Sequence, residues 1–379
     1  MKTTPINNFK LALIILFIAG CASQKEPVTS KILKKENFQK EINGKTTDLF
    51  MLENINGMKV WITNYGARIV AVLAKDKEGN FADVCLGYAS IDAYQEDHMS
   101  LGCVVGPYAN RIANGTFILD DDTFHLEINN NDNTLHSGSV GFQHSVWNAS
   151  KEDNSLRLTY HSPHMEFGFP GNMDVEVVYT LTDENEIIME YNVTTDRKTV
   201  LNLTNHAYFN LKGEGEGTIL DHVVTINADS ITEVDEELIP TGKILSIKGT
   251  PLDFTAPKPT GQEIDEDYLP LQLGNGYDHN FILNKNEPGK LELAAKVMEP
   301  ESGRIMDVYT TEPAIQFYTG NFMNGTVTGK YDIPLNHREG FALEPQHYPD
   351  SPNQPAFPSV VVTPDEHYYQ KSVVKFSTE

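Results

Sequence analysis

The sequence predicts an all-β protein built as one large antiparallel sandwich. From about Asn37 to the C-terminus, short runs of alternating apolar and polar residues recur. Gly, Asn, Asp and Pro punctuate them, and long amphipathic helical patterns are missing.

The first segment stands apart from that texture. Lys2 and Lys10 form a basic leader, and Leu11 to Ala19 is an apolar run too short to span a bilayer. Ile18-Ala-Gly-Cys21 then resembles the lipobox of bacterial lipoprotein signal peptides. That resemblance implies cleavage before Cys21 and lipidation of Cys21, which places the mature protein in the cell envelope. An ordinary signal peptide is the competing reading. The expected organisation is a signal peptide over residues 1–20, a lipidated Cys with a polar tether over 21–40, and a sandwich domain over 41–379. Removing residues 1–20 takes away two lysines and no acid, so the formal charge moves from −24 to −26. Such a surface argues against nucleic acid or anionic membrane as a partner, leaving the lipid as the only membrane contact.

Within the domain, Ser90 to Glu96 reads as one short helix capped by Ser90. Leu156, Leu158 and Tyr160 form one strand face, and Val175, Val177, Tyr179 and Leu181 another. Ile187, Met189, Tyr191 and Val193 form a third. Turn signals lie at 129–133, 183–185 and 284–289. No linker or repeat appears. The acidic, Pro-rich stretch 256–270 is the weakest seam for a two-domain split and reads as a surface loop. Cys85 and Cys103 sit in apolar contexts that suit buried thiols, although an oxidising compartment leaves a bridge between them open. No CxxC or HExxH pattern suggests a metal.

Two segments concentrate the chemistry. In Leu201-Asn-Leu-Thr-Asn-His206, alternation sets Asn202, Thr204 and His206 on a polar face. In Phe341-Ala-Leu-Glu-Pro-Gln346 it does the same for Ala342, Glu344 and Gln346. A single His or Glu on a strand is usually structural or solvated. Here Asn, Tyr and Gln crowd the His, and Pro345 and Pro349 shape the turn after the Glu, so the pair suits general acid–base work. Four further segments offer Asn110 with Arg111, His136, Asp278 and Gln316. Together these are donors and acceptors suited to sugar hydroxyls. Trp61, Trp147 and the many Tyr and Phe offer stacking for a pyranose face, most of them being expected in the core.

These motifs carry a resemblance. Gly106-Pro-Tyr-Ala-Asn-Arg-Ile-Ala-Asn-Gly115, Leu135-His-Ser-Gly138, Gly168-Phe-Pro-Gly171, Thr204-Asn-His-Ala-Tyr-Phe-Asn-Leu211, Tyr277-Asp-His-Asn280, Gln316-Phe-Tyr-Thr-Gly-Asn321 and Leu343-Glu-Pro-Gln346 occur together and in order. The chain from about residue 42 to 377 thereby resembles the aldose 1-epimerase (galactose mutarotase) family. The resemblance implies a large antiparallel β-supersandwich and interconversion of the anomers of free aldoses. It makes Glu344 the general base and His206 the general acid, with Asn110, Arg111, His136, Asp278 and Gln316 holding the sugar. The implied substrate is a neutral monosaccharide, with no metal and no cofactor. Pro107 and Ser137 stand where the family often has Arg and Gly. A hexose-6-phosphate epimerase would need a basic pocket, for which Arg111 is the one clear cation, and a binding protein would not need both Glu344 and His206.

Overall fold

The computed structural model describes residues 1–2, 33–96 and 98–379. The expected signal peptide beyond residue 2 and the lipidation site Cys21 lie outside these residues.

The strands expected from alternation form where the pattern places them. Glu186–Thr195 buries Ile187, Met189, Tyr191 and Val193, while the residues between them stay partly exposed. Met173–Leu181 does likewise with Val175, Val177, Tyr179 and Leu181. Both belong to a nine-stranded antiparallel sheet that runs from Asn148–Glu152 to Lys258–Pro259, with the long C-terminal strand Tyr368–Thr378 at its centre. A six-stranded sheet has the order Tyr208–Phe209, Phe341–Gln346, Ala314–Tyr318, Asp278–Leu283, Ala228–Val234 and Pro240–Ser246. A four-stranded sheet spans residues 49–83.

One buried apolar cluster joins all three sheets. It takes Val60 and Val72 from the four-stranded sheet, Val177 and Val374 from the nine-stranded one, and Phe281, Ile315 and Leu343 from the six-stranded one. The six-stranded sheet therefore spends one face on the core. By the period of two, its opposite face carries Asp278 and Asn280, Gln316 and Tyr318, and Glu344 and Gln346. The side-chain ladder that alternation marks as polar is in fact buried on both faces.

The helix Ile91–Gln95 forms as expected, with the Ser90 hydroxyl accepting from the Ala93 amide. The 256–270 stretch is not wholly loop. Lys258–Pro259 closes the edge of the large sheet, and the helix Leu269–Gly274 begins on a Pro in its first turn. Cys85 and Cys103 are both buried free thiols.

The tether expected to reach residue 40 ends earlier. Leu33 and Phe38 are buried in a second apolar cluster with Trp61, Tyr94 and Tyr208. Lys40 adds hydrogen bonds to Asp92 and Gln95. Polar composition hid this, because two apolar side chains are enough to fix a short segment. Phe38 has no exposed surface, so Phe38→Ala should lower the unfolding free energy by about 3–5 kcal/mol. Urea denaturation of the purified domain measures this, and an unchanged midpoint would show the segment to be dispensable.

Candidate active site

The polar face of the six-stranded sheet floors an open cleft. Its lining brings together all seven residues marked from the sequence: Asn110, Arg111, His136, His206, Asp278, Gln316 and Glu344.

His206 and Glu344 come from separate segments and meet across the cleft. His206 Nε2 stands 3.5 Å from Glu344 Oε2, close enough to share a substrate yet long for a hydrogen bond. Two backbone bonds hold His206: its N–H donates to the Cys103 carbonyl at 2.8 Å, and its carbonyl accepts from Gly102 at 2.9 Å. The imidazole stacks on Tyr208, with ring centroids 4.8 Å apart, and meets His136 edge-on at 5.3 Å. Tyr208 is in turn fixed by its hydroxyl on the Met99 carbonyl. Glu344 lies beside Gln316 in strand register, and Gln316 donates to Asp278 at 2.6 Å.

The segment 106–112 crosses above this floor. Asn110 and His136 both adopt left-handed backbone conformations, with φ of 66° and 54°. They clasp one another: the His136 N–H donates to the Asn110 carbonyl, and the Asn110 N–H donates to His136 Nδ1, each at 3.1 Å. A backbone N–H can only donate, so Nδ1 is the acceptor and Nε2 carries the proton in the neutral ring. Burial, with the His206 and Arg111 charges behind it, pushes His136 well below its ordinary titration range and keeps it neutral. Ser137, at one of the two departures from the family pattern, exchanges hydrogen bonds with the backbone of Tyr108 in both directions. Its hydroxyl fastens this turn beneath the 106–112 segment.

Several residues escaped the sequence reading. Asn130 accepts from Arg111 Nε at 3.1 Å, and the Asp350 N–H donates to the Arg111 carbonyl at 2.8 Å. Nothing in a polar turn such as 129–133 marks one Asn as an orienting partner. Tyr208 and Tyr318 also line the cleft, and each was legible in principle, two residues beyond His206 and Gln316 on the same face. Trp61 and Trp147 are core residues away from the cleft, so the aromatic lining is Tyr208, Tyr318 and the half-exposed Phe322.

Phe322 and Met323 open a long loop that forms the outer wall. Further along, Lys330 is wholly buried. It donates to the carbonyls of Val70 and Cys85 and pairs with Glu214 and Asp83. That ion cluster nails the loop to the body.

The acidic side chains share a strained environment. Burial raises Glu344 well above its ordinary range, the nearby Asp278 charge adds to the rise, and Arg111 opposes it. Burial also raises Asp278, against Arg111 and the hydrogen bond from Gln316. Among the described residues, Arg111 is the one Lys or Arg lining the cleft.

The three-sheet sandwich with a cleft on the face of its six-stranded sheet is the galactose mutarotase-like fold. Among solved structures it superposes on the aldose epimerase homologue of Caenorhabditis elegans with a TM-score of 0.81 at 30% identity, covering 88% of this chain and 99% of that one. The galactose 1-epimerase of Lactobacillus acidophilus superposes with a TM-score of 0.77 at 29% identity, covering 89% and 97%. In sequence, the chain is 42% identical over 332 residues to galactose mutarotase of Sus scrofa, covering 88% of this chain and 94% of the pig protein. It is 36% identical over 342 residues to aldose 1-epimerase of Escherichia coli strain K12, covering 89% and 97%. The aldose 1-epimerase family model matches residues 48–375. The chain belongs to the aldose 1-epimerase family of isomerases.

The raised Glu344 carboxyl has a consequence for stability. Below the ordinary value of 4.5, folded and unfolded chains both hold this proton. As pH rises through that value, the unfolded chain releases it while the folded chain keeps it, so wild-type stability falls until the folded group ionises. Glu344→Gln removes this loss and also the repulsion on Asp278. The difference in Tm, variant minus wild type, should therefore grow as pH rises above the ordinary value of 4.5. Thermal melts over a pH series above that value test this, and a difference that shrinks with pH would contradict it.

Proposed function

We propose that this protein interconverts the α and β anomers of free aldoses such as glucose and galactose, with Glu344 as general base and His206 as general acid. The observation that carries the reading is the opposition of His206 Nε2 and Glu344 Oε2 across the cleft. The C1 hydroxyl and the ring oxygen of a pyranose are bonded to the same carbon, so an acid and a base serving them must stand close together.

Glu344 takes the proton of the C1 hydroxyl while protonated His206 gives its proton to the ring oxygen, and the C1–O5 bond breaks. The open aldehyde turns about C1–C2. The C5 hydroxyl then attacks the other carbonyl face, returning its proton to His206, while Glu344 returns its own to the carbonyl oxygen. Both side chains end as they began. A carboxylate whose proton affinity is raised by burial is a stronger base near neutral pH than a solvated one. Neutral His136 offers its Nε2–H to a sugar oxygen. Asn110, Arg111, Asp278 and Gln316 supply the remaining donors and acceptors. Arg111, the one lining Lys or Arg among the described residues, beside buried Glu344 and half-buried Asp278 favours a neutral sugar over a sugar phosphate.

The test is polarimetry of fresh α-glucose and α-galactose, corrected for spontaneous mutarotation. Glu344→Gln should lower kcat by about 10² or more with the fold intact, and His206→Asn should do comparable damage. Near-wild-type kcat in Glu344→Gln would remove Glu344 as the base.

We further propose that a lipid anchors this protein in the cell envelope. Ile18-Ala-Gly-Cys21 behind a basic leader and a short apolar run supports lipidation of Cys21 and residence in the cell envelope. Cys21→Ser should move the protein out of the membrane fraction or leave it unprocessed. Unchanged fractionation with unchanged processed mass would reject the anchor.

A further inference from the structure

The cleft floor continues inward past the residues that line it. Asn280 stands directly beside Gln316 in strand register, and Gln316 beside Glu344, so the three form one row on one face. Gln346 follows Glu344 by two residues on the same strand and the same face. Asn280 and Gln346 are both almost fully buried. Both atoms of each amide lack a hydrogen-bond partner among the described residues, and so do Gln316 Oε1 and Glu344 Oε2. Beyond them the face turns apolar with Ala314, Ile282, Tyr348 and Phe357. Buried amides left without partners are costly, and two of them on the same sheet face as one carboxylate are not what packing alone selects.

We propose that Asn280 and Gln346 are positioning residues for the base: their amide N–H groups reach the Glu344 carboxylate through water and hold its ionised form in the orientation that meets the substrate. The inference rests on the proposed role of Glu344. Other groups face that carboxylate from the packed elements: Asp278 from the neighbouring strands, Arg111 from above, and His206, with His136 against it, from across the cleft. Asp278 repels the ionised form and Arg111 favours it. The amides add donors, which favour the ionised form and limit the rise that burial and Asp278 impose.

Asn280→Leu and Gln346→Met keep approximate size and remove the donors. In each, the acid limb of kcat/KM for glucose should move up by about 0.5–1 pH unit, with KM little changed on the plateau. Asn280→Ala leaves room for a water that can donate in place of the amide, so its limb should move less than that of Asn280→Leu. A purely structural role predicts the reverse, because the smaller side chain leaves the larger cavity. The inference is overturned if the folded Leu and Met variants keep the wild-type limb, or if Ala shifts it more than Leu. Should Gln346→Met not fold, the Asn280 pair decides alone. A wild-type protein without mutarotation would sink the proposed function itself, whereas an active wild type with unmoved limbs in the variants sinks only this inference.

Discussion

The site depends on one buried amide. Asn202 has no exposed surface. Its side chain donates to the carbonyls of Ala109 and His347 and accepts from the His347 N–H. Its backbone bonds Pro107 and Ala109. Three stretches of chain, more than a hundred residues apart in sequence at their widest, are thus joined at one residue. They are the stretches that carry Arg111, His206 and Glu344. The strands at Arg111–Ile112 and Thr204–Asn205 are only two residues long, so the amide ties them to the sheet strand that bears Glu344.

The body of the fold was legible because long strands repeat a simple signal. In Glu186–Thr195 and Met173–Leu181 one face meets the core and the other meets water, and the sequence alternates accordingly. The site was legible differently. Alternation in 201–206 and 341–346 found which side chains share a face and marked that face as polar, without its burial. Both faces are buried, because a cleft wall needs polar groups without exposing them. Asn130, Asp350 and the Asn202 clasp were not legible at all, since each acts through a backbone or side-chain contact whose partner lies far along the chain. Phe38 was missed for a related reason: its partner Tyr94 is on a helix that local composition does not link to it.

Charge and burial are set against one another around the cleft. Glu344 is buried and Asp278 half-buried on one face of the sheet, and the Arg111 charge opposes the upward shift of both carboxyls. The sheet that bears them gives its opposite face to Phe281, Ile315 and Leu343. Folding thus supplies the rigidity that keeps two unfavourable carboxyl groups where water would otherwise disperse them, and the core bears the cost of the site.

Lys330 bears on how a ligand comes and goes. Because the loop that begins with Phe322 and Met323 is fixed through a buried ammonium on Glu214 and Asp83, the outer wall stands in place before any sugar arrives. The entropy of ordering that wall is lost once, when the chain folds, and is not charged again at each encounter. Entry and exit then pass through a mouth whose wall the fold itself sets. For a reaction whose reactant and product differ only in the direction of one hydroxyl, such a mouth treats both alike, and traffic through it runs equally well in either sense.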